Sequence, residues 1–419
     1  MTTAETSVLP STPGIPTEGA LAGVKVLDLM WVVAGPTATR AMADFGATVI
    51  RVESANRIET ARGIGPFHNN EQGPDHSGLF GNMNINKLGL SLNLATAEAR
   101  DVLLDLIKWC DVLSESFSPR AMRAWGMDYE SLREIKPDLI MLSTCLFGQA
   151  GPLSRVAGFG TMGSAIGGYI ALAGNPGEAP IGPYSAYTDY LSPRFSLPTI
   201  MAALDHRDRT GEGLYIDQAQ AESSLHFMSA ALLDYTINGR VPQLVGNADP
   251  DMAPHGCYRA SGDDDWVAIA VRNDADWANL CSAMGVGELT CDDRFADLSA
   301  RKANEDELNE IVGGWTADRG ALEVEYMLQA FGVPAHAVSN SAASADDPQM
   351  LHRGHFIRME HPVHGETAFE AAKGQMSETP PSYRSAAPSI GRDNDLVLRE
   401  ILGYDDERIA QLAIADALT

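Results

Sequence analysis

The chain has 419 residues, room for roughly two to four domains, and its 45% hydrophobic and 21% charged residues are the mix of a globular protein with a substantial core. Thirty Lys and Arg against 56 Asp and Glu leave a formal charge of −26. Repulsion at that charge excludes a nucleic-acid binder and argues against docking on anionic lipid, so an anionic ligand must find a local exception of a few cations and backbone N–H groups.

Residues 1–20 lack the basic start and apolar run of a signal peptide and read as a polar, Pro-punctuated disordered tail. No apolar stretch approaches the ~18 residues of a membrane span, and the expected setting is cytoplasmic. Five scattered cysteines (Cys110, Cys145, Cys257, Cys281, Cys291) without a CxxC pair are expected as thiols, not as a disulfide framework or zinc site.

The first ordered unit opens with the strand Val24-Lys-Val-Leu-Asp-Leu29, a turn at Ala34-Gly35-Pro36, and a helical stretch to Phe45 stopped by Gly46. A second strand, Ala47-Thr-Val-Ile-Arg-Val-Glu53, completes a β-turn-α-β unit whose small turn residues let helix-start N–H groups approach an anion. The G-x-G-x-x-G fingerprint is absent and Pro36 occupies the turn, which weighs against a nicotinamide site with Glu53 on a ribose. Residues 54–84, with several Gly, Asn and His, read as a long surface excursion of the kind that carries function. Asn84 to Leu94 alternates apolar and polar residues as a further strand, and Thr96 to Trp109 has the apolar spacing of an amphipathic helix. Asp111 to Phe117 reads as a strand, Pro119 opens another helix, and Asp138 to Phe147 is a buried strand ending at Gly148-Gln149-Ala150-Gly151-Pro152. Strands alternating with helices predict a parallel, doubly wound sheet with its ligand beyond the carboxyl ends of the strands. Near residue 240 the character changes: Tyr258 to Val271 reads as two short strands around a Gly-Asp turn, followed by helices over 275–284 and 304–316.

The order of motifs is informative as a set. Leu21-Ala-Gly-Val-Lys-Val-Leu-Asp-Leu29, Ala34-Gly35-Pro36, Phe45 to Glu53 and Asn86-Lys87 precede Asp111 to Pro119 and Gly148 to Pro152. Gly167-Gly168, Ala173-Gly174, Pro180, Asp189, Ala202 to Gly213 and Asp217 follow. In this order the motifs resemble those of a family III CoA-transferase, the group that includes formyl-CoA, carnitine and benzylsuccinate CoA-transferases; the likeness runs from about Leu21 to Leu412.

The resemblance implies an α/β fold: a doubly wound, Rossmann-like large domain completed by the C-terminal segment, plus a smaller α+β domain, in an interlocked dimer. On this reading 1–20 is the tail, 21–225 the N-terminal part of the large CoA-binding domain and 226–240 a linker. Residues 241–330 form the small domain, and 331–419 a linker and C-terminal part returning to the large domain. The implied co-substrates are coenzyme A, as acyl-CoA, and a carboxylic acid, with no metal. The implied assembly is a homodimer or a heteromer with a related subunit.

Asp189 matches the family's nucleophile, which attacks the donor thioester, forms an acyl-aspartyl anhydride and then an aspartyl-CoA thioester. For CoA contacts, Val32 and Ala34 match the loop whose backbone faces CoA, and Phe117 a residue packed near the nucleotide. Ser116 and Ser54 stand where formyl-CoA transferase has Asn and a phosphate-facing Arg, so Arg51, Arg62, Lys87 and Arg123, with Arg120 beside it, are the candidate phosphate cations. Two departures stand out: Tyr190-Leu-Ser-Pro-Arg-Phe195 follows the aspartate in place of small residues, and Asn247 to Gly256 occupies the region of the glycine-rich lid.

The α-methylacyl-CoA racemase of the same fold uses a Gly-His-Asp element; Gly158-Phe159-Gly160 here supplies no base, leaving only His226 or His255 from elsewhere. His352-x-x-His355 and His361-x-x-His364 lack the companion ligands of a zinc site and are expected at the surface. Phe67, Tyr169, Tyr184, Tyr187, Tyr190 and Phe195 form an aromatic-rich neighbourhood that suggests a medium or large, partly apolar acceptor acid over formate or oxalate, and Arg194 or Arg155 a place for the free carboxylate of a succinyl-CoA donor.

Overall fold

The computed structural model describes residues 14–419. The expected tail therefore lies outside the described residues as far as position 13. Its last residues are held: Gly19 packs against the Phe45 carbonyl, and the Leu21 N–H donates to that oxygen at 2.9 Å.

Six strands form one sheet: β1 (Lys25–Leu29), β2 (Thr48–Glu53), β3 (Leu88–Ser91), β4 (Val112–Glu115), β5 (Ile140–Cys145) and β6 (Leu214–Ala219). Their order is β3-β2-β1-β4-β5-β6 and every neighbouring pair is parallel, with Leu27 level with Ile50 on one side and Leu113 on the other. Because successive strand side chains point to opposite faces, β1 feeds two cores. Leu27 and Leu29 face the stripe Ala99, Val102, Leu103, Leu106 and Ile107 of the helix Ala97–Trp109, which starts where Thr96 Oγ1 accepts the Ala99 N–H. Val26 packs on the other face with Met42 and Ala43 of the helix Ala34–Asp44 and Ile200 and Ala203 of the helix Pro193–Thr210. The sheet is covered on both faces, and β1 and β4 flank the point where strand order reverses, where such sheets open a crevice.

β3 departs from the half-exposed strand its alternation predicts, since all four of its residues are buried. The cause is the returning C-terminal segment. Gly89 exchanges hydrogen bonds with Asp393 (N–H to Oδ2 2.7 Å, and Asp393 N–H to the Gly89 carbonyl 2.9 Å), and the Ser91 N–H donates to Asn394 Oδ1 at 2.9 Å. A Cβ at Gly89 would lie 2.5 Å from that of Pro388, so only glycine admits this approach. Val397, Leu398 and Leu412 then complete the core under β1 and β2.

The chain divides into two compact units. The first holds the parallel sheet and comprises residues up to Tyr169, Gly182–Arg240 and His352–Thr419. The second is Val241–Leu351 together with Ile170–Ile181, so it runs beyond the expected limit at 330 and takes in a segment not anticipated. Within it β7 (His255–Arg259), β8 (Trp266–Ala270) and β9 (Ala335–Ala337) form an antiparallel sheet in that order, packed on Trp277, Leu280, Phe295, Leu308, Val312 and Leu328. The hairpin β10 (Phe356–His361) and β11 (Gly365–Glu370) belongs to the first unit.

Residues 54–84 are not a structureless excursion. Two short 3-10 turns and the helix Gly78–Asn84 are fastened by Glu59 and Arg62, both buried.

Candidate active site

After β1 the chain turns through Trp31 and Val32 into the helix Ala34–Asp44. Val32 has φ 68°, a left-handed conformation that is a true outlier for a β-branched residue. Its N–H donates to Glu59 Oε1 at 2.6 Å, and the same oxygen accepts the Ala61 N–H at 3.0 Å. The Trp31 N–H donates to Ser116 Oγ at 2.9 Å, joining the turn after β1 to the turn after β4. There the Phe117 N–H donates to Glu115 Oε2 at 2.7 Å, and the Phe117 ring packs edge-on against Trp31 and Trp125. Burial without a cation beside it pushes the Glu115 carboxyl up to about 7.

These turns form one wall of a 670 Å³ cavity, which also takes in Arg57, Thr144 to Leu146, Ser154 to Phe159, Asp189 and Gln220. Trp31 to Gly35, Ser116 and Ser118 line it beside them. The crevice predicted from strand order is thus present, and Val32, Ala34, Ser116 and Asp189 share it. Phe117 stands behind the wall. Ser54 lies outside the lining, with its hydroxyl donating to the Thr419 carbonyl at 2.9 Å.

Asp189 sits in the first turn of the helix Tyr187–Leu191 and is only 5% exposed. Gln220, where β6 passes into the helix Gln220–Leu225, donates from Nε2 to Asp189 Oδ1 and to Thr188 Oγ1, the latter at 2.9 Å. Thr188 Oγ1 donates in turn to the Gly160 carbonyl at 2.9 Å. A Cβ at Gly160 would stand 2.8 Å from Asp189 Oδ1, so the glycine is what lets this backbone close on the carboxylate. Burial pushes the Asp189 carboxyl up to about 6, and the Gln220 hydrogen bond opposes the shift without cancelling it. Among the described residues no cation pairs with Asp189. The carboxylate is thus desolvated at a cavity wall, an arrangement that could serve nucleophilic chemistry.

Three expected phosphate cations are corrected by the structure. Arg51 is fully buried, with Nε on Glu53 at 3.1 Å, Nη1 on the Met30 carbonyl at 2.8 Å and Nη2 3.2 Å from Glu59. Arg62 is buried between Glu53 and Asp75, each at 2.8 Å, with Nη2 on the Pro388 carbonyl. Lys87 Nζ is enclosed by Asp28 (2.8 Å), the Pro36 carbonyl (3.0 Å) and Asn84 Oδ1 (2.8 Å), and burial brings it down to about 8. These side chains hold up the floor of the site and offer a ligand no surface. Arg123 and Arg120 are exposed and lie outside the cavity lining. The cations in the lining are Arg57, stacked over Trp31 at 5.2 Å, and Arg155. Sequence reasoning missed Arg57, which lies three positions after Ser54; it was legible only as a lone charge in a segment marked as functional.

The aromatic residues expected around the site do not line the cavity, although Tyr187 and Tyr190 share the short helix of Asp189. Phe67, Tyr169, Tyr184, Tyr187, Tyr190 and Phe195 are absent from the cavity lining, where Trp31 and Phe159 are the aromatic residues, and Arg194 is likewise outside it. No histidine lines the cavity, so the base of a racemase is missing from its described walls. His361 and His364 are not surface residues of a simple loop: their rings stack at 4.0 Å, and His364 stacks on His68 at 5.1 Å. Among the described residues no three His, Cys, Asp or Glu side chains are arranged to hold a metal ion, and no helix is long and apolar enough to cross a membrane.

Residues 21–394 match the family model for CoA-transferase family III. The chain belongs to that family. The transferase is 30% identical to the succinyl-CoA–D-citramalate CoA-transferase of Chloroflexus aurantiacus, over 93% of this chain and 96% of that one. It is 33% identical to the beta subunit of the succinyl-CoA–L-malate CoA-transferase of the same organism, over 95% and 98% of the two chains. With the human succinyl-CoA:glutarate CoA-transferase the identity is 30%, over 94% and 89%. A crystal structure of a CAIB/BAIF family protein from Brucella suis superposes with a TM-score of 0.84 at 30% identity, covering 92% of this transferase and all of that chain.

Proposed function

We propose that this transferase moves CoA from succinyl-CoA to a second short dicarboxylic acid through covalent intermediates on Asp189. The observation that carries the reading is the buried Asp189 carboxylate, without a cation partner among the described residues, on the wall of the cavity at the ends of β1 and β4. The relatives named above use succinyl-CoA with citramalate, malate or glutarate, and others act on mesaconate, which supports both the donor and the acceptor class.

In the first step an Asp189 oxygen attacks the thioester carbonyl, the C–S bond breaks, and CoA thiolate leaves a succinyl-aspartyl anhydride. The thiolate then attacks the aspartyl carbonyl and expels succinate, giving an aspartyl-CoA thioester. The acceptor carboxylate attacks that thioester and frees the thiolate again. A final attack on the acceptor carbonyl makes the new acyl-CoA and regenerates Asp189. The turns at Val32 to Gly35 and Ser116 to Ser118 hold the CoA moiety, and Arg57 and Arg155 oppose anionic charge in an otherwise acidic protein. All five cysteines are free thiols, the state that a cytoplasmic setting maintains.

The working unit of this reading is two chains, interlocked as the family resemblance implies. The helix Ser229–Asn238 supports it: none of its residues is buried, and Leu233, Tyr235 and Ile237 are exposed, as is Tyr184 at 96%. The second chain is a copy of this one or a related subunit, since two relatives are the alpha and beta subunits of one enzyme.

Replacing Asp189 tests the chemistry. Asp189→Asn keeps the size and the acceptor for Gln220 but removes the attacking anion, and turnover should fall ~10³-fold or more. Hydroxylamine added during turnover should convert Asp189 of the wild type to a hydroxamate, read by peptide mass, and leave the variant unmodified. A variant retaining a tenth of the wild-type rate would return Asp189 to a structural role.

A further inference from the structure

We infer that Gln220 is the oxyanion donor for every attack on the aspartyl carbonyl, an assignment that rests on Asp189 being the nucleophile. The orientation of its amide follows from its neighbours. Thr188 Oγ1 gives its proton to the Gly160 carbonyl at 2.9 Å and has only lone pairs left for Gln220, and the Asp189 carboxylate is itself an acceptor. Both contacts therefore require the NH₂ end of Gln220, one N–H for each. Gln220 is 7% exposed and lines the same cavity as Asp189, and its amide is held by both contacts before substrate arrives.

Gln220 occupies Oδ1, which leaves Oδ2 as the attacking oxygen. Once Oδ2 carries the acyl group, Oδ1 is the carbonyl oxygen of the anhydride. CoA thiolate adds to the aspartyl carbon, the π electrons move onto Oδ1, and the Gln220 N–H already points at the oxygen where negative charge gathers. Collapse returns the electrons and expels succinate. The acceptor's attack on the aspartyl thioester repeats the sequence with thiolate as leaving group. In the first step, by contrast, the oxyanion forms on the substrate carbonyl, and the Gln220 bond to the resting carboxylate stabilises only the ground state. Removing this donor therefore slows the attacks on the aspartyl carbon and spares the attack by Asp189.

That asymmetry is measurable. Gln220→Met keeps the volume and removes the N–H. Turnover should fall about 10²-fold or more, the usual cost of one oxyanion donor. A single-turnover release of free thiol from succinyl-CoA, read with a thiol reagent, should stay near the wild-type rate, and free-CoA affinity should be unchanged. The acid limb of the rate profile should move to higher pH, because the bond that favours the ionised carboxylate is gone. Gln220→Glu offers a donor only when protonated, so its deficit against wild type should narrow as the pH is lowered. Equal slowing of thiol release and turnover, a deficit in Gln220→Glu that ignores pH, or wild-type turnover in Gln220→Met would each overturn the assignment. Absence of the Asp189 hydroxamate in the wild type would instead overturn the reading beneath it.

Discussion

A carboxylate held out of water without a cation is costly, and Asp189 bears that cost in its resting state. Its value of about 6 lies above the ordinary carboxylate range, so between about pH 4 and 6 the folded chain binds more protons than the unfolded one. Stability conferred by this residue is therefore greatest in acid and falls as the pH rises through that window. Asp189→Asn should stabilise the protein at neutral pH by up to about 3 kcal/mol, with the difference gone below about pH 4, as read from urea unfolding at the two pH values. Activity runs the opposite way: kcat/KM should lose about tenfold per pH unit below 6 as the nucleophile protonates. Flanking motifs singled out Asp189 in the sequence, and the structure puts it on the cavity wall. Gln220 was not, since its meaning depends on a hydrogen bond to a residue on another element. Arg51, Arg62 and Lys87 misled for the complementary reason: a sequence displays a charge but not the Glu59, Asp75 or Asp28 folded against it.

At the scale of elements, the strands β1 to β5 and the helix Ala97–Trp109 were readable from apolar spacing, whereas β6, the helix Pro193–Thr210 and the strand order were not. The segment 54–84 was not, because ion pairs and turns, rather than a periodic apolar stripe, hold it. Glu59 shows what that segment is for. One of its oxygens restrains Val32 in its left-handed turn while the other faces Arg51, so a loop that looks peripheral sets the backbone at the cavity wall. Glu59→Ala leaves two N–H groups without their acceptor and Arg51 underpaired. The expected loss is about 3–5 kcal/mol of stability in denaturant unfolding. The KM for acyl-CoA should rise about tenfold, with a smaller change in kcat. Glu59→Gln, which keeps an acceptor for Val32, should retain most of the affinity.

For the whole molecule, the uncovered apolar helix Ser229–Asn238 predicts a dimer at micromolar concentration by light scattering, with dissociation only on unfolding. Tyr235→Glu and Ile237→Asp together should lower the mass to that of one chain and abolish activity; an active single chain would refute the two-chain unit. The change of domain near 240 was visible in composition, but the transfer of Ile170–Ile181 to the second unit was not, for nothing in a short Gly- and Pro-containing stretch names its destination. The C-terminal segment that closes over β3 also governs how the protein is made. Strands β1 to β5 leave the ribosome first, then Ile170–Ile181, β6 and Val241–Leu351, and Asp393, Val397, Leu398 and Leu412 come after them. Until they do, the core beside the helix Ala97–Trp109 lacks the side chains that complete it, and a ribosome stalled within the second unit holds a chain with that apolar gap open to chaperones or proteases.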